Sequence, residues 1–234
     1  MTRMEPLGTT SKAHGVHMAE VTITGSSVAE PDAEFVWESA GHAHAHQFIL
    51  PVLCAQLARH SPRDILDLGA GNGTLTAYLD KLGYTVTGLD NSRSGLEMAQ
   101  RSFPAMRFER YDIDSALPAA HVGKYDCVVS IEVIEHLLLP RKLMEAARQA
   151  LRPGGWLVVT TPFHGYWKNL ALALTGKFDN HWRPLLDFGH VKFFSRKTLT
   201  SLFEEFGFES IEFASIGRVA PLARSMLVAG RKPK

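Results

Sequence analysis

Short apolar runs alternate along the chain with segments whose apolar residues recur at helical spacing, and that alternation sets the fold class. Extended runs are read at Asp64–Leu68, Thr85–Leu89, Met106–Glu109, Tyr125–Ile131 and Trp156–Thr160. Helical segments fit between several of them, at Thr74–Leu82, Ser92–Phe103 and Arg141–Leu151. Repetition of strand, helix and strand predicts a parallel sheet with helices on both faces. Leu151-Arg152-Pro153-Gly154-Gly155 predicts a helix stop and a turn before the strand at Trp156. Ser195–Phe206 then reads as a helix stopped by Gly207, followed by strands at Phe208–Ser215 and Ser225–Gly230. A parallel pair needs a crossover of a dozen or more residues, and none fits between these two strands. They are therefore expected to pair antiparallel.

Two regions stand outside that rhythm. Residues 1–32 are rich in Thr, Ser, Gly and His and poor in aromatics, which predicts a flexible leader; Met4 and Met18 are alternative starts. Residues 33–234 then form the domain. Its first part, Phe35–His60, turns helical through Phe48, Ile49, Leu50, Val52, Leu53 and Leu57, with Pro51 marking a first turn or a kink. Trp37 is expected to pack in this cover. His42, His44 and His46 read as a helix lead-in or as solvated side chains rather than a metal site. The second region, 162–194, follows the fifth strand, and Thr161 to Phe194 hold eight of the 22 aromatics. Tyr166–Thr175 reads as a short apolar helix and Phe178–Phe188 as a loop. A segment of this length predicts a lid over an acceptor pocket, closing with the 35–60 helix to exclude water. An aromatic subdomain that buries itself is the compatible alternative. His164 leaves the fifth strand at its carboxyl end, where it could face the pocket; a solvated loop histidine is the preferred reading.

Composition narrows the class. The 234 residues carry 25 Lys+Arg against 24 Asp+Glu and are 45% hydrophobic, ordinary for a globular enzyme-sized domain. A dedicated nucleic-acid binder is usually strongly basic, so nucleic acid is an unexpected partner and a small molecule an expected one. Cys54 and Cys127 form no metal or redox spacing, which predicts a reduced, cytoplasmic setting. No apolar run reaches the ~18 residues of a membrane span, and Arg3 is not followed by the apolar stretch of a secretory signal. The basic excess after Thr161 includes Arg183, Lys192, Arg196 and Lys197; a solvated helix face accounts for it better than attraction of an anionic substrate.

The sharpest local signal is Ile65-Leu66-Asp67-Leu68-Gly69-Ala70-Gly71-Asn72-Gly73, a strand running through a glycine turn into a helix. Glycine lets the backbone turn sharply and a ligand approach without a Cβ in the way. The third glycine of the dinucleotide fingerprint is missing, because its position holds Thr74. Asp67 would be poor company for a pyrophosphate and good company for an ammonium or sulfonium. Asp90 ends the second strand, where a carboxylate can accept both ribose hydroxyls of an adenosine lying across the strand ends. Asp112, after the third strand, is placed to accept from an adenine amino group.

The run Ile65 to Asp90, Tyr125-Asp126-Cys127-Val128-Val129-Ser130 and Leu151-Arg152-Pro153-Gly154-Gly155 together resemble the seven-stranded, class I, S-adenosylmethionine-dependent methyltransferases. The resemblance covers about residues 35–230. It implies a Rossmann-like α/β fold with strand order 3-2-1-4-5-7-6, the last strand antiparallel. It implies S-adenosylmethionine as methyl donor, with Asp67 and Gly69 near its amino-acid part, Asp90 on the ribose, and Asp112 and Ile113 flanking the adenine. Ala70, Gly71 and Gly73 in the turn, Asn91 beside Asp90, and Ser130 at the fourth strand's end complete the expected cofactor set.

After the fourth strand comes Glu132-Val133-Ile134-Glu135-His136. If these open a helix, Glu132, Glu135 and His136 share one face, a ligand geometry for a divalent cation. The same carboxylates would otherwise stabilise a helix N-terminus. Glu-x-x-Glu-His with a distant His-x-Phe resembles the small-RNA 2′-O-methyltransferases that carry magnesium, and the ubiquinone-pathway O-methyltransferases are similar in the first half of that pattern. The second half here is Gly189-His190-Val191-Lys192-Phe193-Phe194, with two residues between His190 and Phe193 instead of one. The resemblance implies Glu132, Glu135, His136 and His190 as ligands of a divalent cation such as Mg. The expected catalytic residues are His136, His190 and Glu132, with a histidine as general base where no metal is bound. The expected function is O-methylation of a small molecule. The alternatives are 2′-O-methylation of an RNA end, or a module that binds S-adenosylmethionine for regulation without turnover.

Overall fold

The computed structural model describes residues 46–182, 185, 186 and 189–234, without the side chains of His46 and Asn180. The expected leader (1–32), Trp37, His42, His44, Arg183 and Phe188 lie outside the described residues.

Seven strands form one sheet in the order β3-β2-β1-β4-β5-β7-β6. They are β1 (Asp64–Leu68), β2 (Thr85–Asp90), β3 (Arg107–Arg110), β4 (Tyr125–Ile131), β5 (Leu151–Pro162), β6 (Glu209–Ile216) and β7 (Ser225–Arg231). All neighbours are parallel except β7, which runs antiparallel to both β5 and β6. The helices are α1 (His46–His60), α2 (Thr74–Lys81), α3 (Arg93–Ser102), α4 (Pro140–Ala150), α5 (Tyr166–Leu174), α6 (Phe178–Trp182) and α7 (Arg196–Glu205). Both the strand order and the antiparallel pair are as expected.

Side chains alternate across the central strands, which divides the core between the two faces. Ile65, Cys127, Val129 and Val158 join Leu53, Leu57, Leu75 and Leu79 of α1 and α2. Leu66, Leu68, Val128 and Val159 join Leu143 of α4 and Leu199 and Phe203 of α7. Burial on both faces fixes the register of β1 and β4. Their carboxyl ends therefore carry Asp67 and Ser130 to one edge, as expected for open α/β sheets.

Three local expectations are corrected. Leu151–Gly155 is not a turn ahead of the strand but the start of β5: Leu151 pairs with Tyr125 and Trp156 with Cys127, so the intervening residues bulge outward. Arg152, in the bulge, binds both Asp64 and Asp126. Of the two readings of Pro51, a first turn or a kink, the first is excluded, because α1 runs from His46 through it, with its ring on the exposed side. Residues 178–182 are a helical turn rather than loop, and Phe178 and Trp182 stack edge to face across it with ring centres 5.1 Å apart.

Candidate active site

The site is built from the carboxyl ends of β1, β2 and β4 and the loop before α7. Gly69 and Gly73 have φ of 94° and 75°, backbone that an L side chain rarely adopts. The N–H groups of Gly69 and Ala70 bond the Leu89 carbonyl of β2, at 2.8 and 3.0 Å, which folds the turn back over the sheet edge. A Cβ at Gly69 would strike the side chain of Val133, so the turn rests against the Glu132–His136 segment. Glycine at 69 is thus needed twice, for conformation and for contact.

Asp90 holds the turn in place. One carboxylate oxygen accepts the Gly71 N–H at 2.7 Å and the other accepts the Ser92 N–H, also at 2.7 Å. Asp67 is buried and accepts from the Thr76 hydroxyl at 2.6 Å. Burial pushes the Asp67 carboxyl up to about 7, with the charge of Asp90 adding to the shift. No basic side chain among the described residues forms a salt bridge with Asp67. A cationic ligand group there would favour the ionised acid, which fits the ammonium or sulfonium of S-adenosylmethionine. Asp112 is exposed and caps its own turn at Asp114, Ile113 is buried beside it, and Asn91 is exposed with its carbonyl taken by Arg110. The buried Ser130 hydroxyl donates to the Leu68 carbonyl, clamping β4 to β1 below the turn. Asp90→Ala would leave two backbone donors without their acceptor. We expect the dissociation constant for the demethylated cofactor, S-adenosylhomocysteine, to rise about 10- to 100-fold by calorimetry; an unchanged constant would exclude the contact.

The acidic-histidine segment does not form the expected helix face. Glu132 ends β4 in the left-handed region, with φ of 55°, and a single 3-10 turn (Ile134–His136) follows. Strained backbone at a non-glycine residue is a feature of functional sites. The kink sends the two carboxylates different ways. Glu132 accepts from the Thr160 hydroxyl at 3.0 Å and the Ser225 hydroxyl at 3.4 Å. Burial, the largest influence on it, pushes its carboxyl up to about 7. Glu135 is 1% exposed; one oxygen accepts from Thr161 at 2.9 Å and the other has no hydrogen-bond partner among the described residues. Burial first, and then the charge of Glu132, raise its pKa well above the carboxylate range.

The unpartnered oxygen of Glu135 lies 4.0 Å from His190 Nε2, and the rings of His136 and His190 meet edge to face at 4.9 Å. Ligand atoms of Glu135, His136 and His190 all lie within 4.8 Å of one another, a group to which Glu132 does not belong. His190 comes from 55 residues downstream of Glu135, and the two residues after it show how it is held. Val191 and Lys192 both donate their N–H groups to the Glu135 carbonyl, at 2.9 and 3.0 Å. The extra residue between His190 and Phe193 therefore has a structural use.

Of the two readings of His164 the solvated one is overturned: it is buried at 7% exposure, because its ring packs edge to face on Phe193 and against His181. Burial holds its pKa down to about 4, with the Lys168 charge next in size. Trp182 stacks on Phe193 at 4.7 Å, so part of the insertion does bury itself. Tyr166, Trp167 and Leu174 of α5 remain exposed. Lys168 is the residue that sequence reasoning passed over. It donates to the carbonyls of Phe163 and Arg224, and no spacing in the sequence signals that meeting.

A family model described as a methyltransferase domain matches residues 42–212. The ubiquinone biosynthesis O-methyltransferase of Dinoroseobacter shibae is 32% identical over 152 residues, 63% of this chain and 60% of that protein. The protein of the same name from Thiobacillus denitrificans is 28% identical over 158 residues, 66% of this chain and 68% of that protein. The chain thus spans 60% of the length of the first of these relatives. Among solved structures, the methyltransferase domain of bacterial CtHen1 aligns with a TM-score of 0.63 at 22% identity, covering 80% of this chain and all (100%) of that one. The S-adenosylmethionine-dependent methyltransferase SibL, in its apo form, aligns with a TM-score of 0.65 at 23% identity, covering 81% of this chain and 56% of that one. These two likenesses speak for the fold. No helix among the described residues is long and apolar enough to cross a membrane.

Proposed function

Because the chain belongs to the methyltransferase domain family, we propose that it methylates an oxygen of a small molecule, with Glu135, His136 and His190 as the centre that readies the acceptor. The observation that carries this reading is the buried Glu135 oxygen that has no hydrogen-bond partner among the described residues and faces two histidine rings. A carboxylate costs several kcal/mol to bury without a partner, so its persistence points to a cation or proton that shares the pocket in the working enzyme. The curated relatives with O-methyltransferase in their names support the choice of oxygen.

S-adenosylmethionine, when bound, supplies a methyl group on a sulfonium that an acceptor oxygen displaces in line. The glycine turn and Asp67 would hold its amino-acid end, Asp90 and Asn91 its ribose, and Asp112 and Ile113 its adenine. The acceptor hydroxyl must lose its proton as the carbon–oxygen bond forms and the carbon–sulfur bond breaks. His190 and His136 are the proton acceptors in reach of the Glu135 carboxylate, which would stabilise the imidazolium that results. A divalent cation on Glu135, His136 and His190 would instead lower the hydroxyl pKa by coordination. Phe193 and Trp182 stack on each other next to this corner, and His136 and His190 are themselves exposed, open to an entering acceptor.

The test is turnover of S-adenosylmethionine on a catechol and polyol panel with and without chelator. We expect methylation of a catechol to fall at least about a hundredfold on chelation and to return with magnesium. Equal rates would remove the ion and leave the histidines as the base. No methylation of any hydroxyl would refute the oxygen reading.

A further inference from the structure

Methyl transfer makes no use of a second feature of the insertion. A cavity of about 400 Å³ lies between α5, α6 and the 3-10 turn Ala220–Leu222, lined by Lys168, His181, Arg218 and Arg224 with Leu172 and Thr175. No carboxylate among the described residues lines it. Nor does any among the described residues form a salt bridge with Lys168, Arg218 or Arg224. Three like charges around one hollow repel one another, and an anion relieves that repulsion. The repulsion is already visible at Lys168, whose pKa is held down to about 8 by burial first and then by Arg218 and Arg224, against the opposing charge of Glu132.

A second observation is independent of charge. His181 Nε2 is a buried polar atom with no hydrogen-bond partner among the described residues. Native structures leave few such atoms, and one that lines a cavity marks a place for a polar ligand. His181 lines the cavity, and its ring centre is 5.3 Å from that of His164. Lys168 donates to the Arg224 carbonyl, and the next residue, Ser225, donates to Glu132, so the hollow lies beside the Glu132–His136 segment. Arg218 and Arg224 flank the β6–β7 connection, whereas Lys168 and His181 come from the insertion.

We propose that this cavity is an oxyanion site that takes a carboxylate or phosphate group, and, resting on the methyltransferase reading, that the group belongs to the acceptor molecule. Lys168 and the two arginines hold the acid group, and the unpartnered imidazole of His181 donates to it. Acidic hydroxylated molecules are then the preferred acceptors over neutral ones of the same shape.

The test compares 3,4-dihydroxybenzoate, catechol and inorganic phosphate by calorimetry on the full chain saturated with S-adenosylhomocysteine, and the two catechols by turnover. Arg218 is exposed and has no acidic partner among the described residues, so Arg218→Glu is chosen as the variant, with its melting temperature as the check on folding. We expect dihydroxybenzoate to bind about tenfold tighter than catechol or better. In Arg218→Glu that ratio should fall to near one, and in Arg218→Lys most of it should survive. Phosphate binding that Arg218→Glu abolishes, without any preference between the two catechols, would mean a site for free phosphate and would overturn the acceptor assignment. Equal affinities for both catechols and no phosphate binding would overturn the site itself. Binding of dihydroxybenzoate that is sensitive to Arg218→Glu, with no methylation, would support the oxyanion site and contradict only the methyl-transfer reading.

Discussion

Glu135→Gln is expected to lower turnover by a factor of about 10² to 10³ while leaving the fold as stable as before, or more so. Glutamine has the same shape, so it can still accept from Thr161 and still offer its backbone carbonyl to Val191 and Lys192. What it removes is the negative charge facing His136 and His190, and with it the partner of a metal or of an imidazolium. The stability expectation follows from the raised pKa of Glu135. Its unfolded-state pKa is lower, so above that value the unfolded chain releases the proton more readily, and stability is lost as pH rises toward the folded value. A neutral amide escapes that loss. Kinetics at saturating cofactor, with melting curves at pH 5 and pH 8, check both halves. A variant with full turnover would dissociate this carboxylate from the chemistry, and a variant that melts far lower would make its role architectural.

Gly73→Ala is expected to destabilise the protein by about 2 to 5 kcal/mol. Positive φ at a non-glycine residue costs roughly 1 to 2 kcal/mol. Overpacking adds roughly 1 to 3 kcal/mol. A Cβ at 73 would lie 2.6 Å from the Phe108 ring and 2.7 Å from the Ala99 methyl. Gly83→Ala is the natural control, because its φ of 94° carries the same conformational penalty but nothing lies within 4 Å of the added methyl. Denaturant melts of the two variants separate the terms. Equal losses would show that Phe108 yields without cost, and the turn would then be less tightly packed than described.

The strands and helices of the sheet were readable because both of its faces are buried, so that β4 and β7 carry nearly continuous apolar runs and the shorter β1 and β2 stand between turn residues. The β6–β7 hairpin was readable for a geometric reason, the lack of room for a crossover. The bulge at Arg152–Gly155 was not, because a Pro-Gly-Gly sequence looks alike whether it turns the chain or interrupts a strand. Periodicity likewise assigned Glu132 to a helix face. The left-handed kink at that residue depends on where β4 ends against Thr160, which is a tertiary fact. Asp67, Gly69, Gly73 and Asp90 could be set at the strand ends because those positions follow from local strand and turn patterns. His164, Lys168, Arg218 and Arg224 could not, because what gathers them is the docking of the insertion against the β6–β7 connection.

The central claim is that the turn at Gly69–Gly73, steadied by Asp90, binds S-adenosylmethionine. Calorimetric titration of the full chain with S-adenosylmethionine and with S-adenosylhomocysteine tests it without any knowledge of the acceptor. The account predicts saturable one-to-one binding of both, accompanied by a higher melting temperature. A chain that melts cooperatively yet gives neither heat nor stabilisation with either compound would contradict it.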